Sequence, residues 1–186
     1  THTLGREATH TIAAEIGGIA ALLPIAAAAE LGIPLLDADM MGRAFPELPM
    51  LVPSLHGVPA GPMSMGDEWG NTVVLDGVDN AHTERLARTL CVEMGASALM
   101  ALYTMEGRTA RPLLVRGTLG LAERLGVSVR SAREAHADPV ATVLDVLGGH
   151  RLFTGKVTDL NRITAGGFTR LEATIAGTDA DDGATL

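Results

Sequence analysis

The sequence predicts an α/β fold: a mostly parallel sheet with flanking helices, followed by the start of a β-rich second domain. Three observations carry that expectation. Short apolar runs alternate with Ala- and Leu-rich helical stretches from Thr9 to Leu147. Beyond His150 the helical period gives way to alternation of apolar and polar residues. Finally, 47% of the 186 residues are apolar but only 3% are aromatic, so the core has to be built from Ala, Leu, Val, Ile and Met. The corresponding division is 1–149 for an α/β domain and 150–186 for the start of a β-rich one.

In chain order, Thr9 to Ala14 reads as a strand that meets Gly17-Gly18. A helix from Ile19 to Leu31 follows, closed by Gly32, with Pro24 marking a kink or the true first turn. Ile33 to Leu36 is a buried-type strand running into Asp37-Ala38-Asp39. These three elements make a βαβ unit with carboxylates at the carboxyl end of a strand, where parallel sheets build their sites. Pro46, Pro49, Pro53, Pro59 and Pro62 make Gly42 to Gly70 an ordered long loop.

Thr72 to Leu75 is the next strand. Asn80 or Ala81 opens a helix through Glu93, closed by Gly95, and Ser97 to Tyr103 is another buried strand. Gly117 to Ala137 is helical by pattern, and Asp138-Pro139 supplies an N-cap and a first-turn proline for a helix through Leu147. Leu152 to Asp159 and Phe168 to Ile175 then alternate, which places Lys156 and Asp159 on opposite faces. Two strands alone are marginal in water, so they are expected to pair with sequence beyond Leu186 or with a partner.

Composition narrows the function. The formal charge of −8 is spread along the chain, with a dense acidic run only around Asp179, Asp181 and Asp182, so nucleic acid is a poor partner. The longest apolar candidate, Ile16 to Leu36, is interrupted by Pro24, Glu30, Gly32 and Pro34, which argues against a membrane span. Cys91 is the sole cysteine and the first residues lack an apolar signal core, so the expected location is cytoplasmic. On the apolar face of its helix, Cys91 reads as an inert buried thiol. His2, His10, His82, His136 and His150 show no ligand spacing, and the cofactor is left unknown; two nearby carboxylates are compatible with a divalent metal, but spacing does not support one.

The densest polar constellation is Asp37-Ala38-Asp39 with Arg43 and Glu47. Two carboxylates two residues apart share a face if the strand continues, and can hold a metal, orient a base or bind polar substrate groups. Arg43 can form a fork to a carboxylate or a cyclic imide edge. The bland alternative is a turn held by Asx hydrogen bonds, with Arg43 neutralising the pair. Glu15 lies beside Gly17 and Gly18, whose amides suit an anion at a helix start or whose small size suits close packing. His56, in a Ser-Leu-His-Gly turn, is either a proton shuttle or a structural histidine.

Gly32-Ile33-Pro34, Asp37-Ala38-Asp39, Gly42-Arg43-Ala44-Phe45-Pro46-Glu47 and Ser54-Leu55-His56-Gly57-Val58-Pro59 together resemble the central signature of the S-methyl-thiohydantoin desulfurase-like family. Further matches are Glu15-Ile16-Gly17-Gly18, Leu22-Leu23-Pro24, Gly70-Asn71-Thr72, Gly117-Thr118-Leu119, Phe153 to Asp159 and Gly166-Gly167-Phe168. Ile19 departs from the pattern, which favours a polar residue there. The resemblance implies an α/β N-terminal domain followed by a β-rich C-terminal domain, with this chain an internal piece of the whole, so that 1–149 is partial and 150–186 truncated.

It also implies hydrolytic removal of methanethiol from a substituted thiohydantoin ring, a small cyclic amide-type substrate. Asp37, Asp39 and His56 are then the catalytic candidates, and Glu15, Gly17, Gly18, Arg43, Glu47 and Lys156 the substrate-binding ones. The alternative is a non-catalytic ligand-binding or accessory subunit of a hydantoinase- or oxoprolinase-type system. A second copy of the chain and a hydantoinase-type protein are the two partner readings.

Overall fold

The computed structural model describes Gly5, residues 7–165 and 168–186; His2 and the Gly166-Gly167 pair lie outside the described residues. The chain divides into two compact units, Thr1–Glu123 and Arg124–Leu186.

In the first unit, β1 (Thr11–Ala13), α1 (Gly18–Leu31) and β2 (Leu35–Asp39) form the expected βαβ unit, with β1 and β2 parallel. Gly32 ends α1 in the left-handed region at φ 64, where its backbone N–H returns to the Ala28 carbonyl. Pro24 is accommodated inside α1 and buried. The pairing of β1 with β2 is irregular: while β1 advances from Thr11 to Ala13, β2 advances from Leu35 to Asp39. The extra residues arch β2 at Asp37.

The sheet does not continue in parallel. β6 (Val115–Arg116) closes β2 on its other side antiparallel, and a second sheet of order β4-β3-β5 is antiparallel throughout. Its strands are β3 (Met63–Gly66), β4 (Thr72–Leu75) and β5 (Leu99–Ala101). The expected mostly parallel sheet is therefore corrected. The cause is β3, which lies inside the segment read as loop and makes a hairpin with β4. Asp67 builds that turn: its carboxylate accepts from the Trp69 and Asn71 amides at 3.0 and 2.8 Å and from the Asn71 side chain at 2.7 Å. A hairpin turn pairs its strands antiparallel, and β5 then adds to the far edge of β3. The proline-rich segment also holds α2 (Val52–Leu55) and a single 3-10 turn at Leu48–Met50.

Met63 and Met65 point from β3 into the core with Met40, Leu48, Leu51, Ala60, Ala87, Met94 and Tyr103. Each large side chain among them contributes roughly 1.5–3 kcal/mol of burial. Ala87 and Met94 come from α3 (Asn80–Glu93) and its end, capped by Asp79 and closed by Gly95 at φ 84. β5 is exposed along its length, not the buried strand its apolar sequence suggests, while Ala98 and Leu102 on either side of it pack against the core.

α4 (Gly107–Leu113) precedes β6, and α5 runs Thr118–Glu134. In the second unit, α6 (Pro139–Leu147) begins as expected, with the Asp138 carboxylate accepting from the Val140 amide and Pro139 in the first turn. β7 (Gly155–Ala165) and β8 (Phe168–Gly177) form an antiparallel pair with β7 exposed throughout. The register shifts between Val157 and Asp159, so Lys156 opposes Ala176 and Asp159 opposes Thr174. Directly opposed residues share a face, which puts Lys156 and Asp159 on one face and corrects the expectation from simple alternation.

Candidate functional site

The arch in β2 gives the two aspartates different surroundings. Asp37 is exposed. Its carbonyl accepts the Gly117 amide at 2.8 Å and its Oδ1 accepts the Gly120 amide at 3.0 Å. The carboxylate thus stands at the N-terminus of α5, where unpaired amides and the helix dipole favour negative charge.

Asp39 is fully buried. Its Oδ1 accepts from the Met41 and Gly42 amides, the Asx arrangement of a tight turn, and its Oδ2 has no hydrogen-bond partner among the described residues. Gly42 takes φ 78, and a Cβ there would meet the Val115 side chain at 3.4 Å, so glycine suits both the turn and its contact with β6.

The loop beyond this turn carries Arg43 and Glu47, and it is fastened by side chains from three other elements. Glu15, two residues beyond β1, accepts the Phe45 amide through Oε2 at 2.8 Å. Its Oε1 lies 3.2 Å from the point where a Gly17 Cβ would sit, so Gly17 leaves room for the carboxylate to cross the turn. Glu84 on α3 accepts the Leu48 amide at 2.9 Å and the Arg88 Nε at 2.9 Å, while Arg88 Nη2 donates to the Pro46 carbonyl at 2.8 Å.

Tyr103 donates its hydroxyl to the Leu48 carbonyl at 2.9 Å from a left-handed backbone at φ 49. Burial pushes its phenol above the ordinary value of 10.0, against a lowering contribution from Ser54, and the Glu84 charge raises it further. Asn80 completes this polar layer, accepting the Ala60 amide at 2.7 Å and donating to Ser54 Oγ at 2.7 Å and to the Val58 carbonyl at 3.0 Å.

Of the residues singled out from sequence, Glu15 thus meets the Arg43–Glu47 loop through its backbone, Asp39 holds the turn just before it, and Asp37 meets α5. Arg43 is exposed, with Nε donating to the Ala44 carbonyl at 3.2 Å; Glu47 is half-buried just before the 3-10 turn; His56 is exposed at the end of α2. Gly18 has open space where a Cβ would be. Lys156 lies exposed in the second unit.

Glu84, Arg88, Asn80 and Tyr103 were missed, since each acts on backbone far away in sequence. The grooves at the β3–β5 edge, lined by Ser64 to Gly66 with Leu99 to Ala101 and by Asp67 with Met94 and Gly95, draw no residue from Asp37 to His56. Among the described residues, no group of three His, Cys, Asp or Glu could hold a metal, and no helix is long and apolar enough to cross a membrane.

Two family models tile the chain: the S-Me-THD-like N-terminal domain matches residues 1–77 and the S-Me-THD-like C-terminal domain matches residues 78–186. The chain belongs to the S-Me-THD-like family. It is also similar to a protein from Chromobacterium violaceum whose X-ray crystal structure is known, at 26% identity and a TM-score of 0.64. That match covers 100% of this chain and 52% of the Chromobacterium protein, so the chain spans about half of its length. No curated protein matches it. The junction of the two S-Me-THD-like segments falls between β4 and α3, so the Glu84 contacts with the loop join one family segment to the other.

Proposed function

We propose that the protein is a hydrolase of S-methyl-thiohydantoins. The observation that carries this reading is the match of both S-Me-THD-like segments, in order, over residues 1–186. In the reaction, water adds to the ring carbon that bears the S-methyl group. One water proton passes to the ring nitrogen as its double bond to that carbon opens; the tetrahedral intermediate then breaks its carbon–sulfur bond, its hydroxyl proton goes to the departing sulfur, and methanethiol and a hydantoin carbonyl result.

Asp37 is the base of choice. It is exposed, and the Gly120 amide occupies only its Oδ1, which leaves the other oxygen for a water. Asp39, enclosed and engaged by the Met41 and Gly42 amides, orients the turn from which Arg43 projects. Arg43 clamps the ring oxygen, Glu47 the ring nitrogen, and His56 is the reserve acid/base. Glu15, Gly17 and Gly18 shape the adjoining turn, and Lys156 is a further substrate contact.

The test uses the complete gene product with an S-methyl-thiohydantoin in heavy-oxygen water. Methanethiol release with one heavy oxygen in the ring carbonyl of the product supports hydrolysis. Tight binding of the intact ring without thiol release supports a binding subunit instead.

A further inference from the structure

We propose that Glu84 is a positioning residue for the loop that presents Arg43 and Glu47, a role that rests on the hydrolase reading above. The loop follows the Asp39 turn and re-enters the core at Leu48, which is 4% exposed. Between those points its backbone is held by side chains and not by a sheet ladder: Met41 and Gly42 by Asp39, Phe45 by Glu15, Pro46 by Arg88, and Leu48 on both its amide and its carbonyl by Glu84 and Tyr103.

Glu84 is the centre of the downstream half. One of its oxygens takes the Leu48 amide and the other orients Arg88, whose Nη2 reaches the Pro46 carbonyl, so a single carboxylate fixes the peptide groups on both sides of Glu47. Its side chain is only 13% exposed, and an ion pair at such a site contributes little net stability over an apolar replacement. What the pair does supply is directional: charge-assisted bonds that allow one backbone path. The two charged side chains of the loop, Arg43 and Glu47, stand four residues apart between these anchors, and a shift of about 1 Å at such groups costs substantial rate or affinity.

The experiment is a double-mutant cycle in the complete gene product, read with an S-methyl-thiohydantoin and with amide hydrogen exchange. E84A is expected to raise KM about tenfold while leaving kcat within about twofold, and to add nothing further in an E47A background, because Glu84 fixes the peptide groups on both sides of Glu47 and the two changes remove one shared binding interaction. E84Q, which keeps an acceptor for the Leu48 amide but loses the one that orients Arg88, is expected to recover part of the parental KM. A loss of kcat or of thermal stability alone, with KM unchanged and E84A additive to E47A, overturns the proposal.

If the gene product releases no methanethiol, the hydrolase reading falls, and exchange at the Phe45 and Leu48 amides decides the positioning role by itself. Faster exchange confined to those amides in E84A supports a loop held by Glu84, and parental exchange rejects it.

Discussion

Replacing Asp39 by alanine strips a buried acceptor from two backbone amides of the turn. The expected loss is about 1–3 kcal/mol of stability. Asp39→Asn retains an oxygen for the Met41 and Gly42 amides and is expected to lose less. Calorimetric melting of the two variants checks the order; equal melting temperatures in both and in the parent reject this account of the turn.

Tyr103 offers a second residue-level test, because it is the sole tyrosine. Its folded phenol ionises above 10.0, so its contribution to stability is fully present below pH 10.0 and is lost as pH rises through the folded value. Ultraviolet titration is expected to show one phenol ionising above 10.0 in the folded protein and near 10.0 in denaturant.

Asp67, Asp79 and Asp138 behave in the opposite sense. The Asn71 side chain, the His82 amide and the Val140 amide respectively lower their carboxyls below the ordinary 3.8. Their contributions are present above pH 3.8 and lost as pH falls through the folded values, which carboxyl NMR titration would register as midpoints below 3.8.

At the scale of elements, Gly95 closes α3 at φ 84, and a Cβ there would meet the Trp69 ring at 2.8 Å. Gly95→Ala is therefore expected to cost about 1–2 kcal/mol from backbone strain and to displace the only tryptophan, visible as a change in its fluorescence. Unchanged emission would contradict the packing of the β3–β4 turn against α3.

Helix ends such as Gly32, Gly95 and Asp138-Pro139 were legible in the sequence because capping is local chemistry. β3 was not: Met63-Ser64-Met65-Gly66 has little β-branched character and follows Pro62, and its strand identity comes from pairing with β4 and β5. In the candidate site, the short-range Asx turn of Asp39 was legible as one of two alternatives. Glu84 was not, because its partner Leu48 is 36 residues away and nothing in a helical Glu-x-x-x-Arg spacing distinguishes a loop anchor from a surface ion pair.

Taken as a whole, the molecule combines a methionine-rich core in the first unit with a hairpin in the second that exposes Val157, Leu160, Ile163 and Leu171 at 50 to 59%. Exposed strand edges and apolar rows favour association, so the isolated chain is expected to self-associate in sedimentation, and Leu160→Lys to weaken that association. A concentration-independent monomer would reject this expectation.

In the proposed hydrolase, Asp37, held at the N-terminus of α5, activates the water that expels methanethiol. The most direct measurement is the rate of methanethiol release from an S-methyl-thiohydantoin by the complete gene product and by its Asp37→Asn variant. Turnover by the parent and a fall in kcat of about 100-fold or more in the folded variant, with KM little changed, are expected. Parental kcat in a folded Asp37→Asn protein, or no release of methanethiol by the parent, would contradict it.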